Sequence, residues 1–109
     1  MQAALASAFP KGADAQCVAS LDDREGILIV ADGSLSFARY EDGALSVTAL
    51  DSLRGGILTK RYHAREGDSD SFRVGYRYAS ERGTIAVEET AGRESALIFK
   101  VIQSWASVR

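Results

Sequence analysis

The chain has 109 residues, of which 46% are hydrophobic and 26% charged, so it is one small domain rather than a disordered chain. Its formal net charge of −2 excludes a general electrostatic attraction to nucleic acid or to anionic lipid. The single cysteine, Cys17, excludes an internal disulfide, and no apolar run reaches the length of a membrane span, so the composition favours a cytoplasmic protein.

The first fourteen residues predict an arm beside the main domain. Residues 2–9 are rich in alanine and favour a short helix, which Pro10 ends because proline lacks the N–H that a helix interior needs. The segment has no positively charged start, so it is a poor secretory signal. We assign residues 1–14 to an N-terminal arm or short helix and residues 15–109 to a single domain.

Short apolar segments separated by turn residues predict strands from residue 16 onward. The first four are residues 16–21, 27–31, 34–40 and 44–50. Asp32-Gly33 and Asp42-Gly43 each stand between two of these segments, and Asp-Gly favours a tight hairpin because both residues tolerate positive φ. The fourth segment alternates between apolar and hydroxyl side chains, as a strand with two different faces does.

The second half of the chain predicts three more strands. Residues 57–64 form the fifth, after a longer break, and residues 84–89 form the seventh. The sixth begins at Asp70 or Ser71 and alternates most regularly. Its Phe, Val and Tyr residues share one face, and the arginines at 73 and 77 share the other.

A change of period marks a helix from Gly92 onward. Its apolar residues recur at helical spacing: Leu97, Ile98, Val101, Ile102 and Trp105. Thr90 is a candidate cap, and Glu94 in the first turn suits the helix dipole. Phe99 falls outside this apolar face, so we expect it at the margin of the face or exposed for a contact.

These elements predict a mainly β fold with one C-terminal amphipathic helix. Because the connections are short, we expect strands that are neighbours in the sequence to pair antiparallel. The resulting seven-stranded meander would hide its apolar face by curling into a barrel, and the helix would cap the remaining opening.

One stretch of sequence, with this order of elements, resembles bacterial pleckstrin-homology-like (PH-like) and GRAM-like domains. The likeness lies in residues 26–37, 45–53 and 55–58. In these stretches, apolar strands are followed by a short segment with an aspartate and a leucine, and then by a glycine-rich bend. Asp32 lacks the threonine before it and the arginine after it that are usual in these domains. The resemblance covers residues 16–106 and implies a PH-like barrel, but it implies no particular activity.

No residue type in the chain stands in a recognisable catalytic pattern. His63 has no nucleophile or acid near it in the sequence, and Cys17 is typical of a buried, inert thiol. The acidic turns do not match the spacing of a calcium loop, and the glycine-rich turns do not match a phosphate-binding loop. We therefore expect a non-enzymatic protein without a metal or cofactor.

One group of basic and aromatic residues is the candidate partner-binding surface. Its members are Lys60, Arg61, Arg65, Arg73, Arg77 and Phe99. The fifth and sixth strands should pair, so their basic residues would form one patch that fits a phosphate, a carboxylate or an acidic protein surface. The alternative is a solvated outer face, whose arginines pair with glutamates such as Glu88.

The sequence therefore favours a protein-interaction or scaffold module, self-association into a homo-oligomer included. Binding to nucleic acid or a membrane is not expected. The charged turn at residues 22–25 would repel a phosphate, which argues against phosphoinositide recognition. The alternative function is a small-ligand-binding barrel, whose mouth would be lined by Phe37, Tyr76 and Tyr78.

Overall fold

A computed structural model describes residues 2–65, 68–88 and 92–106. In these ranges the protein is mainly β, with seven antiparallel strands in one sheet and a C-terminal helix against it. The strands are β1 (Ala15–Leu21), β2 (Arg24–Ala31), β3 (Ser34–Glu41), β4 (Ala44–Ala49), β5 (Ile57–Arg65), β6 (Asp68–Ser80) and β7 (Gly83–Val87). The helices are α1 (Gln2–Ala8) and α2 (Gly92–Trp105), and a 3-10 turn spans Asp51–Leu53. The predicted seven strands and C-terminal helix are confirmed.

The order of the strands corrects one expectation. The sheet runs β4-β3-β2-β1-β7-β6-β5, so β4 and β5 lie at opposite edges and β1 pairs with β7. Across the described ranges no pairing joins β4 to β5, and the sheet is not closed into a barrel. The cause is the connection after β4, where Leu50 and Leu53 are buried. Both side chains join the core, so this connection packs against it instead of turning back beside β4.

The tight turns of the first four strands follow the sequence closely. Asp32-Gly33 and Asp42-Gly43 have φ values between 52° and 81°, which is the left-handed conformation that a two-residue hairpin needs. Asp22-Asp23 adopts the same conformation, with φ values of 51° and 67°. This turn is therefore shorter than the charged turn that the sequence predicted, and β2 begins at Arg24.

The main core lies between the concave face of the sheet and α2. The helix contributes Ile98 and Ile102, which are fully buried, and Trp105, which is 4% exposed. It packs mainly on β1 and β2. The sheet contributes residues from all strands except β4 and β5 to the fully buried set, among them Leu28, Tyr78 and Ile85. None of the helices in the described ranges is long and apolar enough to cross a membrane.

A smaller apolar patch lies on the opposite, outer face. Ile29 and Ala38 are buried, with exposed fractions of 1% and 0%, yet they lie outside the main core cluster. Leu5 of α1 and the following Phe9 border a small cavity with Ile29. The N-terminal helix therefore covers part of the outer face of the sheet.

Candidate protein-binding site

The pairing of β5 with β6 divides the predicted basic patch between the two faces of the sheet. Lys60 lies opposite Tyr76, which is 1% exposed and belongs to the core. Side chains alternate between faces along a strand, so Lys60 lies on the side of α2. Arg61, Arg73 and Arg77 lie on the outer side. The predicted residues therefore do not form one continuous surface.

The outer basic residues form a row on two strands. Arg61 lies opposite Gly75, which stands between Arg73 and Arg77 on β6. Arg61 and Arg77 are exposed, and neither forms an ion pair within the described residues. Glu88 lies with Arg77 along a cavity of about 270 Å³ but makes no ion pair with it. For Arg61 and Arg77, the described residues therefore show no ion pair of the kind that the solvated-face alternative assumed.

Some predicted positions cannot be placed in this way. Arg65 and His63 belong to the backbone of β5, but their side chains lie outside the described residues. Thr90, the predicted cap of α2, also lies outside them. Glu94 does lie in the first turn of the helix, as predicted.

Lys60 and Phe99 meet between β5 and α2. The Lys60 Nζ atom lies 5.3 Å from the centroid of the Phe99 ring and 5.8 Å from that of the Tyr62 ring. The Phe99 ring stands edge-on to the ring of Tyr76, with 5.1 Å between their centroids and an interplanar angle of 68°. Phe99 is half-buried, so its predicted place at the margin of the apolar helix face is confirmed.

These two residues line one groove with a volume of about 320 Å³. Ala96 and Phe99 give it an apolar wall, while Lys60 and Lys100 supply positive charge, and none of the described residues that line it is acidic. Its strand side is β5, which pairs only with β6 and is an edge of the sheet. An apolar wall, two ammonium groups and a strand edge therefore lie together.

The sequence did not identify the helix side of this groove. In the helical pattern of the sequence, Lys100 and Gln103 only fall outside the apolar face. The available signal was Phe99, an aromatic residue outside the apolar face and directly before Lys100. Only the packing of α2 beside Lys60 shows that this side of the helix faces a strand.

Cys17 is half-buried next to two hydroxyl groups. Burial raises the pKa of its thiol above the ordinary value, and the nearby hydroxyls of Tyr76 and Ser95 lower it only in part. Burial also raises the pKa of Tyr76, and the adjacent Cys17 adds to this. Although the two groups are close, the Tyr76 hydroxyl forms no hydrogen bond of standard geometry within the described residues. The surroundings favour the neutral thiol.

Cys17 should therefore react slowly with iodoacetamide at about pH 7.5, because the thiolate is the nucleophile. We expect a rate below that of the urea-unfolded chain, since a raised pKa lowers the fraction of thiolate at a given pH. The native rate should rise as the pH approaches the raised pKa. A mass-spectrometric time course over a series of pH values measures this, and equal rates in the native and unfolded chains would contradict it.

Comparisons with protein-family models, with curated proteins and with solved structures gave no match. In the described ranges no three histidine, cysteine or carboxylate side chains gather as they would around a metal ion. Functional inference therefore rests on the surfaces themselves. The groove between β5 and α2 combines the largest number of features that recognise a protein segment.

Proposed function

We propose that the chain is a non-enzymatic protein-interaction module of the PH-like class, which binds an extended acidic segment of a partner protein beside β5. The order of seven strands followed by a helix, with that helix packed on the sheet, supports the PH-like class. The observation that carries the binding proposal is the position of the lysine-rimmed groove along an edge strand.

The strand edge supplies the main-chain part of this recognition. β5 is nine residues long and has a strand neighbour on one side only. An added strand can complete the hydrogen bonds of such an edge, which is a common way of binding an extended peptide. Ile57 and Tyr62 are 66% and 61% exposed, so a bound segment would also cover apolar surface.

The charges favour an acidic occupant. Lys60 and Lys100 line the groove, and Arg61 is exposed on the other face of the same strand. Carboxylates on one face of a bound segment would pair with the two lysines beside the Phe99 wall, and carboxylates on its other face would meet Arg61. A basic segment would meet like charge along the whole groove.

A phage-displayed library of nine-residue peptides tests this proposal. We expect selection to enrich acidic peptides, and amides of β5 to become protected from hydrogen exchange on binding. Substituting Lys60→Glu and Lys100→Glu together should weaken the selected peptide at least about tenfold. Lys11→Glu, on an exposed loop away from the groove, is the matched control and should leave affinity unchanged.

Three results would contradict the proposal. One is selection without preference for acidic residues. Another is loss of binding with Arg73→Glu and Arg77→Glu but not with the lysine pair, which would place the partner on the outer face. The third is a concentration-dependent dimer in sedimentation that Lys60→Glu abolishes, because a second copy of the chain would then occupy the groove.

A further inference from the structure

A separate cavity of about 430 Å³ lies at the end of the sheet that carries β3 and β4. Its lining includes Leu21, Phe37, Arg39, Glu41, Ser46 and Thr48. Because α2 packs mainly on β1 and β2, the helix does not fill this end of the concave face. The cavity is also at the opposite edge of the sheet from β5.

Polar side chains occupy core-facing positions in this cavity. Arg39 follows Leu35 and Phe37 at alternate positions of β3, and both of these are buried in the core. On β4, Thr48 lies opposite Phe37 and Ser46 lies opposite Arg39, so the hydroxyl side chains share the concave face. Polar residues at positions that patterning assigns to a core are typical of binding sites.

The Arg39 guanidinium has an unused donor here. Its Nη1 atom lies 3.1 Å from Oε1 of Glu41, and Nη1 of Arg24 lies 3.9 Å from the same oxygen. The Nε atom of Arg39 is buried and has no hydrogen-bond partner in the described part of the chain. A buried donor on a charged group is costly to leave unpaired, so the described contacts leave this guanidinium incompletely hydrogen-bonded.

We propose that this cavity binds a small organic carboxylate. The guanidinium fork of Arg39 matches the planar geometry of a carboxylate, and the hydroxyls of Ser46 and Thr48 offer further hydrogen bonds. Phe37 contacts the apolar part of the ligand.

The charge balance of the lining sets the class of anion. Arg24 and Arg39 are offset by Asp22 and Glu41, so the lining carries no net charge. Asp22 and Glu41 would repel a monoanion about half as strongly as a phosphate dianion, so a single negative charge on the ligand is the one that this lining tolerates better. This proposal does not depend on peptide binding at β5, because the two sites share no residue.

Benzoate and its neutral isostere benzamide are suitable probes in a titration followed by ¹⁵N–¹H NMR spectra. We expect saturable shifts of the Phe37, Arg39 and Thr48 amides with benzoate, at a Kd on the order of 1 mM for so small a ligand. Benzamide should bind at least about tenfold more weakly, and so should benzoate to Arg39→Gln. Arg61→Gln, on the outer face, is the control and should bind benzoate normally.

The absence of saturable shifts at millimolar benzoate would overturn the proposal. Equal binding of benzamide would also overturn it, as would equal binding of inorganic phosphate, because neither has the geometry and single charge that are proposed. If Arg39→Gln does not fold, the exposed Thr48→Val decides the question. Weaker benzoate binding by that variant supports the site, and unchanged binding of both benzoate and benzamide overturns it.

Discussion

Replacing Tyr78 with phenylalanine should lower the free energy of unfolding by about 3 kcal/mol, because it leaves buried backbone groups without a partner. The Tyr78 side chain is fully buried. Its hydroxyl donates a hydrogen bond to the Leu53 carbonyl at 2.6 Å and accepts one from the Gly56 N–H at 2.8 Å. It also lies 3.3 Å from the carbonyl oxygen of Trp105. One hydroxyl thus joins β6 to the crossover before β5 and to the end of α2.

Tyr76→Phe is the matched control for this prediction. Tyr76 lies two residues away on the same face of β6 and is equally buried, but its hydroxyl has no standard hydrogen bond within the described residues. Removing it should change the unfolding free energy by less than about 1 kcal/mol. Urea denaturation of both variants measures the difference. Equal losses in the two variants would show that the hydrogen bonds of Tyr78 do not hold the crossover.

Gly26→Ala should lower the free energy of unfolding by about 2–3 kcal/mol, as overpacking of a core does. Gly26 lies in β2, where a Cβ atom would stand 2.5 Å from Cζ of Phe37 and 2.6 Å from the carbonyl oxygen of Ala38. Both distances are too short for carbon contacts. Either the Phe37 ring or the backbone of β3 has to move.

Gly83→Ala is the control, since Gly83 is also a strand glycine and is buried. Its added Cβ would meet only the Cδ2 atom of Leu53 closely, at 3.2 Å, and a side-chain end can shift. We expect the free energy of unfolding to fall by less than about 1 kcal/mol. Alanine also lowers the conformational entropy of the unfolded chain, which reduces this loss further. Thermal unfolding of both variants tests the difference. A Gly26→Ala variant as stable as the wild type would contradict the prediction, because β3 would then move aside without lowering the free energy of unfolding.

The elements of the fold were predictable because their signals are local. The Asp-Gly turns need only their own residues to adopt positive φ, and the period of the C-terminal helix is contained in fourteen residues. The separation of β4 from β5 was not predictable in this way. It depends on Leu50 and Leu53 joining a core built from distant parts of the chain.

The candidate sites were predictable only in part, and strand register explains the limit. The sequence singled out Lys60 and Phe99, but grouped Lys60 with arginines that lie on the other face. The pairing of Lys60 with Tyr76, a residue distant in sequence, determines which residues of β5 lie on the core face of the sheet. The cavity beside β3 and β4 was not predicted for the same reason. In the sequence alone, Arg39 resembles any charged strand residue, because its neighbours on β4 are not known.

The pairing of β1 with β7 has a consequence for how the chain is synthesised. β1 to β4 can assemble from neighbouring hairpins, but the Asp22 N–H donates to the Thr84 carbonyl, 62 positions later in the chain. A nascent chain that has left the ribosome only as far as β6 therefore lacks both the strand that pairs with the free edge of β1 and the helix that packs on β1 and β2. Contacts between distant segments slow folding, so this half-made sheet is the state in which we expect association with chaperones.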